Sequence, residues 1–286
     1  ALLTFSCDKN SKNIKPIVEF TTKITKETSD FVMQVPPQTS VSNWDGVNFV
    51  NQGNNFAVLN KFDFHKEAVK SKGKIIAAPV IHDGKLFVLD EQNTLTCFDL
   101  NSKKQLWQTS VNKDVLANKT ASTGGITFAS NMLYVTNGSR DLIILDANTG
   151  YEIARPKMPD ILNAPVEVGN NHIYASLANN SFMSLNKETL SLAWQVAGPQ
   201  TSLMLLMQSA IKPTEISNAV LAPFYSGQLS LLNSENGQPF WENNLLSQLD
   251  DFDDMNYANL ITQPIFAQDS ICLLYTSPSP RDGLLS

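Results

Sequence analysis

Apolar and polar residues alternate with a period of two along most of this chain. The alternation is interrupted at short, regular intervals by Asn, Asp, Ser and Gly. Lys85 to Leu89 alternates, turns through Asp90 to Asn93 and resumes from Thr94 to Phe98. Met132 to Thr136 turns at Asn137-Gly138 and resumes from Leu142 to Leu145; His172 to Leu177 turns at Asn179-Asn180 and resumes from Phe182 to Leu185. Ala219 to Tyr225 turns at Ser226-Gly227 and resumes from Leu229 to Leu232. Such runs predict hairpins of half-buried strands. Helical periodicity is nearly absent, and Thr201 to Ala210 (TSLMLLMQSA) is the one ambiguous run. The chain has 28 Asn against 13 Gly. Asn tolerates left-handed turn geometry almost as Gly does, so many tight turns are accessible.

Each hairpin runs into a copy of one ten-residue motif. The copies are FDLNSKKQLW ending at Trp107, LDANTGYEIA ending at Ala154, LNKETLSLAW ending at Trp194 and LNSENGQPFW ending at Trp241. An Asp or Asn (Asp99, Asp146, Asn186, Asn233) stands eight residues before the Trp position, and the copies are spaced by 47, 40 and 47 residues. That period suits a four-stranded propeller blade. The Asp or Asn is expected to end a strand and bond its own turn backbone. The Trp is expected on a fourth strand, packed between neighbouring blades; the second copy departs by carrying Ala154. The fold class predicted is all-β: a β-propeller of four-stranded antiparallel blades. Four complete blades fall at about 75–111, 125–158, 164–196 and 218–245, and a partial fifth opens at 263–271.

Composition narrows the functions. The chain has 286 residues, 42% of them apolar, with a net charge of −6 and a pI near 5.1. A nucleic-acid partner is not expected, because phosphate neutralisation needs a Lys/Arg excess. No run approaches the ~18 apolar residues of a membrane-spanning helix. Cys7, Cys97 and Cys272 form neither a disulfide framework nor a CxxC metal pair. At the start, ALLTFSC resembles the end of a bacterial lipoprotein signal, which marks Cys7 for acylation. Residues 1–7 are read as that signal, 8–42 as a Lys/Thr/Ser-rich tether and 43–271 as the partial propeller. Near the other end, CLLYTSPSPRD resembles the translation of a sequencing-library adapter, so 272–286 is read as foreign to the fold.

The motif LDxxTGxxxW resembles the quinoprotein-type propeller repeat. The order of further segments resembles one family: the BamB-like propeller lipoproteins of the outer-membrane β-barrel assembly machinery. Those segments are SNWDGVNFVNQGNN around Trp44, APVI from Ala78, STGGITF from Ser122, NAPV from Asn163, YSGQL from Tyr225 and NLITQPI from Asn259. The resemblance implies an eight-bladed propeller and a non-enzymatic scaffold without cofactors. It implies lipid anchoring through Cys7 at the periplasmic face of the outer membrane. Its partners would be the periplasmic domains of the central barrel subunit and unfolded outer-membrane proteins. The family contact stretch Leu-x-Leu-Arg aligns with Leu203 and Leu205, while Leu206 replaces the arginine. Asn259 and Ile261 stand where a second family contact has acidic residues.

Two other classes share the repeat: dehydrogenases that use pyrroloquinoline quinone, and general protein-interaction propellers. The former resemble one another in an adjacent Cys-Cys pair, a Trp floor under the quinone and a Glu/Asn/Asp set on calcium; no two cysteines here are adjacent. No GxSxG, HExxH or P-loop pattern occurs. His65, His82 and His172 are scattered and read as surface or edge residues, and the run Asp250 to Asp254 lacks the spacing of a calcium loop.

Overall fold

Four stretches of the chain each fold into an antiparallel meander. The structure, a computed structural model, describes residues 73–112, 123–199, 213–224 and 228–244, together with strand backbone at 3–6, 259–260, 265–267, 270–273 and 275–276. After β1 (Leu3–Ser6), blade 1 comprises β2 (Val80–His82), β3 (Lys85–Leu89), β4 (Thr94–Asp99) and β5 (Gln105–Ser110). Blade 2 comprises β6 (Gly125–Ala129), β7 (Met132–Thr136), β8 (Ile143–Asp146) and β9 (Glu152–Ala154). Blade 3 comprises β10 (Glu167–Val168), β11 (His172–Ser176), β12 (Ser181–Asn186) and β13 (Leu192–Ala197). Blade 4 comprises β14 (Thr214–Ile216), β15 (Ala219–Pro223), β16 (Gln228–Asn233) and β17 (Pro239–Asn244). In every blade the strands pair in sequence order, and the first strands of successive blades approach one another. Further on, β18 (Asn259–Leu260) pairs with β21 (Tyr275–Thr276), and β19 (Ile265–Ala267) with β20 (Ser270–Leu273). β1 adds to the other side of β20, with Leu3 opposite Leu273 and Ser6 opposite Ser270. Among the described residues there is no helix.

The hairpins expected from the alternation are all present. Blade 4 begins earlier than the expected 218, because its first strand is Thr214–Ile216. Three residues are too few to show alternation, so this strand carries no periodic signal. Cys272 and Leu273 lie in β20 and Tyr275-Thr276 form β21, so these four residues of the presumed foreign tail are paired strand residues.

The core lies in the seams between blades. Phe87, Leu89, Leu95 and Cys97 of blade 1 pack on Leu133, Val135, Ile143 and Leu145 of blade 2. Tyr134, Leu142 and Ile144 of blade 2 pack on Ile173, Ala175, Met183 and Leu185 of blade 3. Tyr174, Phe182 and Trp194 of blade 3 pack on Val220, Ala222 and Leu232 of blade 4. Each inner strand thus sends alternate side chains to two different seams. The outer strands face water and leave Leu106, Ile153, Leu192 and Phe240 exposed.

The repeat motif is the device that locks the seams. Asp99, Asp146, Asn186 and Asn233 each end a third strand. Their side-chain oxygens accept backbone N–H groups of the turn that follows: Ser102 for Asp99, Thr149 for Asp146, Thr189 for Asn186 and Asn236 for Asn233. The next residue donates its N–H back to the turn between the first two strands of the same blade, as Ala147 does to the Asn131 carbonyl. The Trp of the preceding blade rests on this rigid turn. Trp107 Nε1 donates to the Ala147 carbonyl at 3.2 Å, and Trp194 Nε1 to the Ser234 carbonyl at 2.9 Å. The indole faces cover Gly150 and Gly237, both with φ of +72°. A Cβ at Gly150 would sit 2.5 Å from Trp107 Cε3, and one at Gly237 2.6 Å from Trp194 Cε3. Glycine is required here twice over, by the left-handed backbone and by the close approach of the ring. Trp194 is 9% exposed, whereas Trp107 and Trp241 are half-buried.

Replacing Trp194 by Ala removes a buried ring and its hydrogen bond, and is expected to cost about 3–5 kcal/mol. Gly237→Ala is expected to cost about 2 kcal/mol through overpacking and backbone strain. Urea unfolding of the two variants checks both values, and Phe240→Ala at the exposed rim should change stability by less than about 0.5 kcal/mol.

Candidate functional site

Antiparallel meanders put every connection between blades at the same end as the turn between the second and third strands. Leu203 and Leu205 belong to the connection between β13 and β14, within 200–212, outside the described residues. Its point of departure is described. Asn180 adopts φ of +60° at the β11–β12 turn. Its carbonyl accepts the Gly198 N–H at 2.8 Å, and its Nδ2 donates to the Pro199 carbonyl at 2.7 Å. Gly198 lies so close to Phe224 and Asn180 that any side chain there would collide. The connection therefore leaves from a fixed direction and returns at the buried Pro213. Asn93, also at φ of +60°, holds the departure of the first connection by accepting the Val111 N–H at 2.8 Å.

Asn93 continues this end of the molecule across the first seam, where Asn137 Nδ2 donates to its Oδ1 at 2.7 Å. Thr123 Oγ1 donates to Asn163 Oδ1 at 3.3 Å across the second seam. The roles of Asn93 and Asn180 were not apparent from the sequence, although both stand in turns it marked. The signal available was the recurrence of Asn at the same turn of successive repeats.

Charge is used between blades as well. Arg155 is held by Glu152 at 2.8 Å and Asp141 at 3.3 Å, and donates to the Val111 carbonyl of blade 1 at 3.0 Å. Burial opposes its charge, but the two carboxylates outweigh burial and strengthen the guanidinium's hold on its proton. Across the third seam the Tyr174 hydroxyl donates to Glu215 Oε1 at 2.9 Å. Burial, then Glu215, pushes the Tyr174 pKa far up and keeps the phenol a donor. Asp99 and Asp146 have lowered pKa values, chiefly from the side-chain hydrogen bonds of Ser102 and Thr149.

Among the described residues, the others singled out by sequence do not converge. Cys7, Leu203, Leu205, Ile261 and His65 lie outside the described residues, as does the acidic run from Asp250, and of Asn259 only the backbone in β18 is described. His82 stacks on Phe128 with centroids 3.7 Å apart, and its Nε2 is 3.4 Å from Asp83 Oδ2. His172 stands at the start of β11 but is buried, with its ring 5.9 Å from that of Tyr174, so the expectation of a surface residue is corrected in part. Cys97 is buried in the first seam, and burial raises its pKa to about 11. Among the described residues no three His, Cys, Asp or Glu side chains come together as metal ligands.

A family model described as outer membrane protein assembly factor BamB matches residues 117–277, more than half of the chain. The chain belongs to the BamB family. An uncharacterized Rickettsia conorii protein is 27% identical over 213 residues, covering 73% of this chain and 50% of its own length. Among solved structures, BamB from Moraxella catarrhalis superposes with a TM-score of 0.51 at 16% identity, over 70% of this chain and 53% of its own. Quinohemoprotein alcohol dehydrogenase from Comamonas testosteroni gives 0.52 at 14% identity, over 68% of this chain and 38% of its own. Both likenesses bear on the fold, which is the propeller. The BamB-family chain spans about half the length of the relative and of the BamB structure that it matches.

Two outcomes are expected at these residues. Cys97 should resist a thiol reagent at pH 8 in the folded protein and react on unfolding, as peptide-level mass spectrometry reads. Asp99 and Asp146, lowered on folding, stabilise fully above the ordinary carboxylate pKa and lose that contribution as pH falls through it to their folded values. Replacing both by Asn, the residue blades 3 and 4 already use, should preserve the fold and flatten the loss of Tm between pH ~5 and ~3.

Proposed function

We propose that the chain is a non-enzymatic scaffold lipoprotein of the outer-membrane β-barrel assembly machinery. Acylated Cys7 anchors it at the periplasmic face of the outer membrane. The connection carrying Leu203 and Leu205 docks on the periplasmic domains of the central barrel subunit, and unfolded outer-membrane proteins are the clients. The observation that carries this reading is the family match over 117–277, which includes that connection. The rigid departure at Asn180 supports it, since a segment held at its base loses less entropy on docking. With Leu206 in place of the family arginine, and Asn259 and Ile261 in place of acidic residues, these contact positions are uncharged. The docking affinity should therefore depend weakly on salt.

The test is calorimetric titration with the purified periplasmic domains of the central subunit. Leu203→Asp with Leu205→Asp is expected to weaken binding at least ~10-fold with Tm unchanged, and unaltered affinity would remove this docking site. The second reading, a quinone-dependent dehydrogenase, draws on the fold likeness to the Comamonas enzyme. Incubation with pyrroloquinoline quinone and calcium should give no dye-linked alcohol or sugar oxidation above blank, and measurable turnover would overturn the scaffold assignment.

A further inference from the structure

The second seam lacks the indole lock, and both of its partners have changed together. Blade 2 has Ala154 where blades 1, 3 and 4 have Trp. Blade 3 has Leu190 where the turns of blades 2 and 4 have Gly150 and Gly237. Leu190 keeps the same turn. Its N–H donates to the Asn186 carbonyl at 2.9 Å, as Gly150 does to Asp146 at 2.8 Å and Gly237 to Asn233 at 2.9 Å. Its φ of +57° is one that a branched aliphatic residue rarely adopts. Ala154 and Leu190 pack against the same core between blades 2 and 3.

We infer that Ala154 and Leu190 are one size-exchanged pair, and that such pairs encode which blade stacks on which. A Trp-bearing blade cannot seat on the turn of blade 3, because Leu190 fills the place of the ring. An Ala-bearing blade set on a glycine turn leaves a hole where the ring belongs. The sequence ahead of blade 1 holds a comparable ten-residue stretch. LNKFDFHKEA from Leu59 ends in Ala68, and the turn of blade 1 has Lys103 at φ of +57° in the glycine position. Among the described residues three motif-to-turn pairs are therefore matched, two as Trp with Gly and one as Ala with a left-handed side chain. The backbone strain at Leu190 is explained by its partner. Repeat proteins of similar blades are prone to misassembly, and a size code at each seam disfavours the wrong neighbour.

A mutant cycle on the 286-residue chain tests this. Ala154→Trp alone should drive an indole into Leu190 and lower Tm by roughly 5–10 °C. Leu190→Gly alone relieves the strained φ but opens a cavity, and should also lower Tm. The two together should recover most of the loss, and the new indole should emit at a shorter wavelength than in Ala154→Trp alone, as it becomes buried with the Lys187 carbonyl in reach. Should Ala154→Trp not fold, the reverse exchange decides: Gly150→Leu should be rescued by Trp107→Ala. Additive losses in both cycles, or a double variant less stable than either single, would overturn the pairing.

Discussion

The structure depends on a flat indole resting on a glycine turn that a carboxylate or amide side chain has made rigid. A single blade is a four-stranded sheet with two apolar faces, and neither face can be buried within the blade. Burial comes only from a neighbouring blade, and in the first and third seams the Trp dock fixes how that blade sits. The Asp or Asn at the end of the third strand acts one step earlier. Without its bonds to the following N–H groups, the turn would offer neither a fixed carbonyl to the indole nor a flat glycine beneath it.

This arrangement separates the two ends of the molecule by task. The turns that receive the indoles are at one end and are given over to seam formation. The connections between blades are at the other end, where Asn93 and Asn180 fix only their points of departure. The connection between blades 2 and 3 also sends Met158, Leu162 and Val166 into a seam, and in the proposed function it is at this end that docking chemistry resides.

Much of the fold was legible because its determinants are local. Alternation marks the long inner strands, Asn-Gly and Asn-Asn mark their turns, and the Asp-to-Trp interval marks the blade period. The first strand of blade 4 was not legible, since Thr214–Ile216 is short and its Glu215 serves Tyr174 of another blade. The left-handed Leu190 was equally hidden, because leucine is no turn signal and its cause lies across the seam at Ala154. Of the candidate site, the sequence indicated the segment with Leu203 and Leu205 only through family resemblance, and the Asn180 anchor emerged from the structure.

The central claim is that a seam-locked propeller presents its interblade connection to the barrel-assembly partner. Site-specific photo-crosslinking in living cells tests it most directly, with a photoreactive residue placed at position 205 and, separately, at the exposed outer-strand position 153. The account predicts an adduct with the periplasmic domains of the central barrel subunit from position 205 and none from position 153. An adduct with that subunit only from the outer strand, or from neither position in cells that make both proteins, would contradict it.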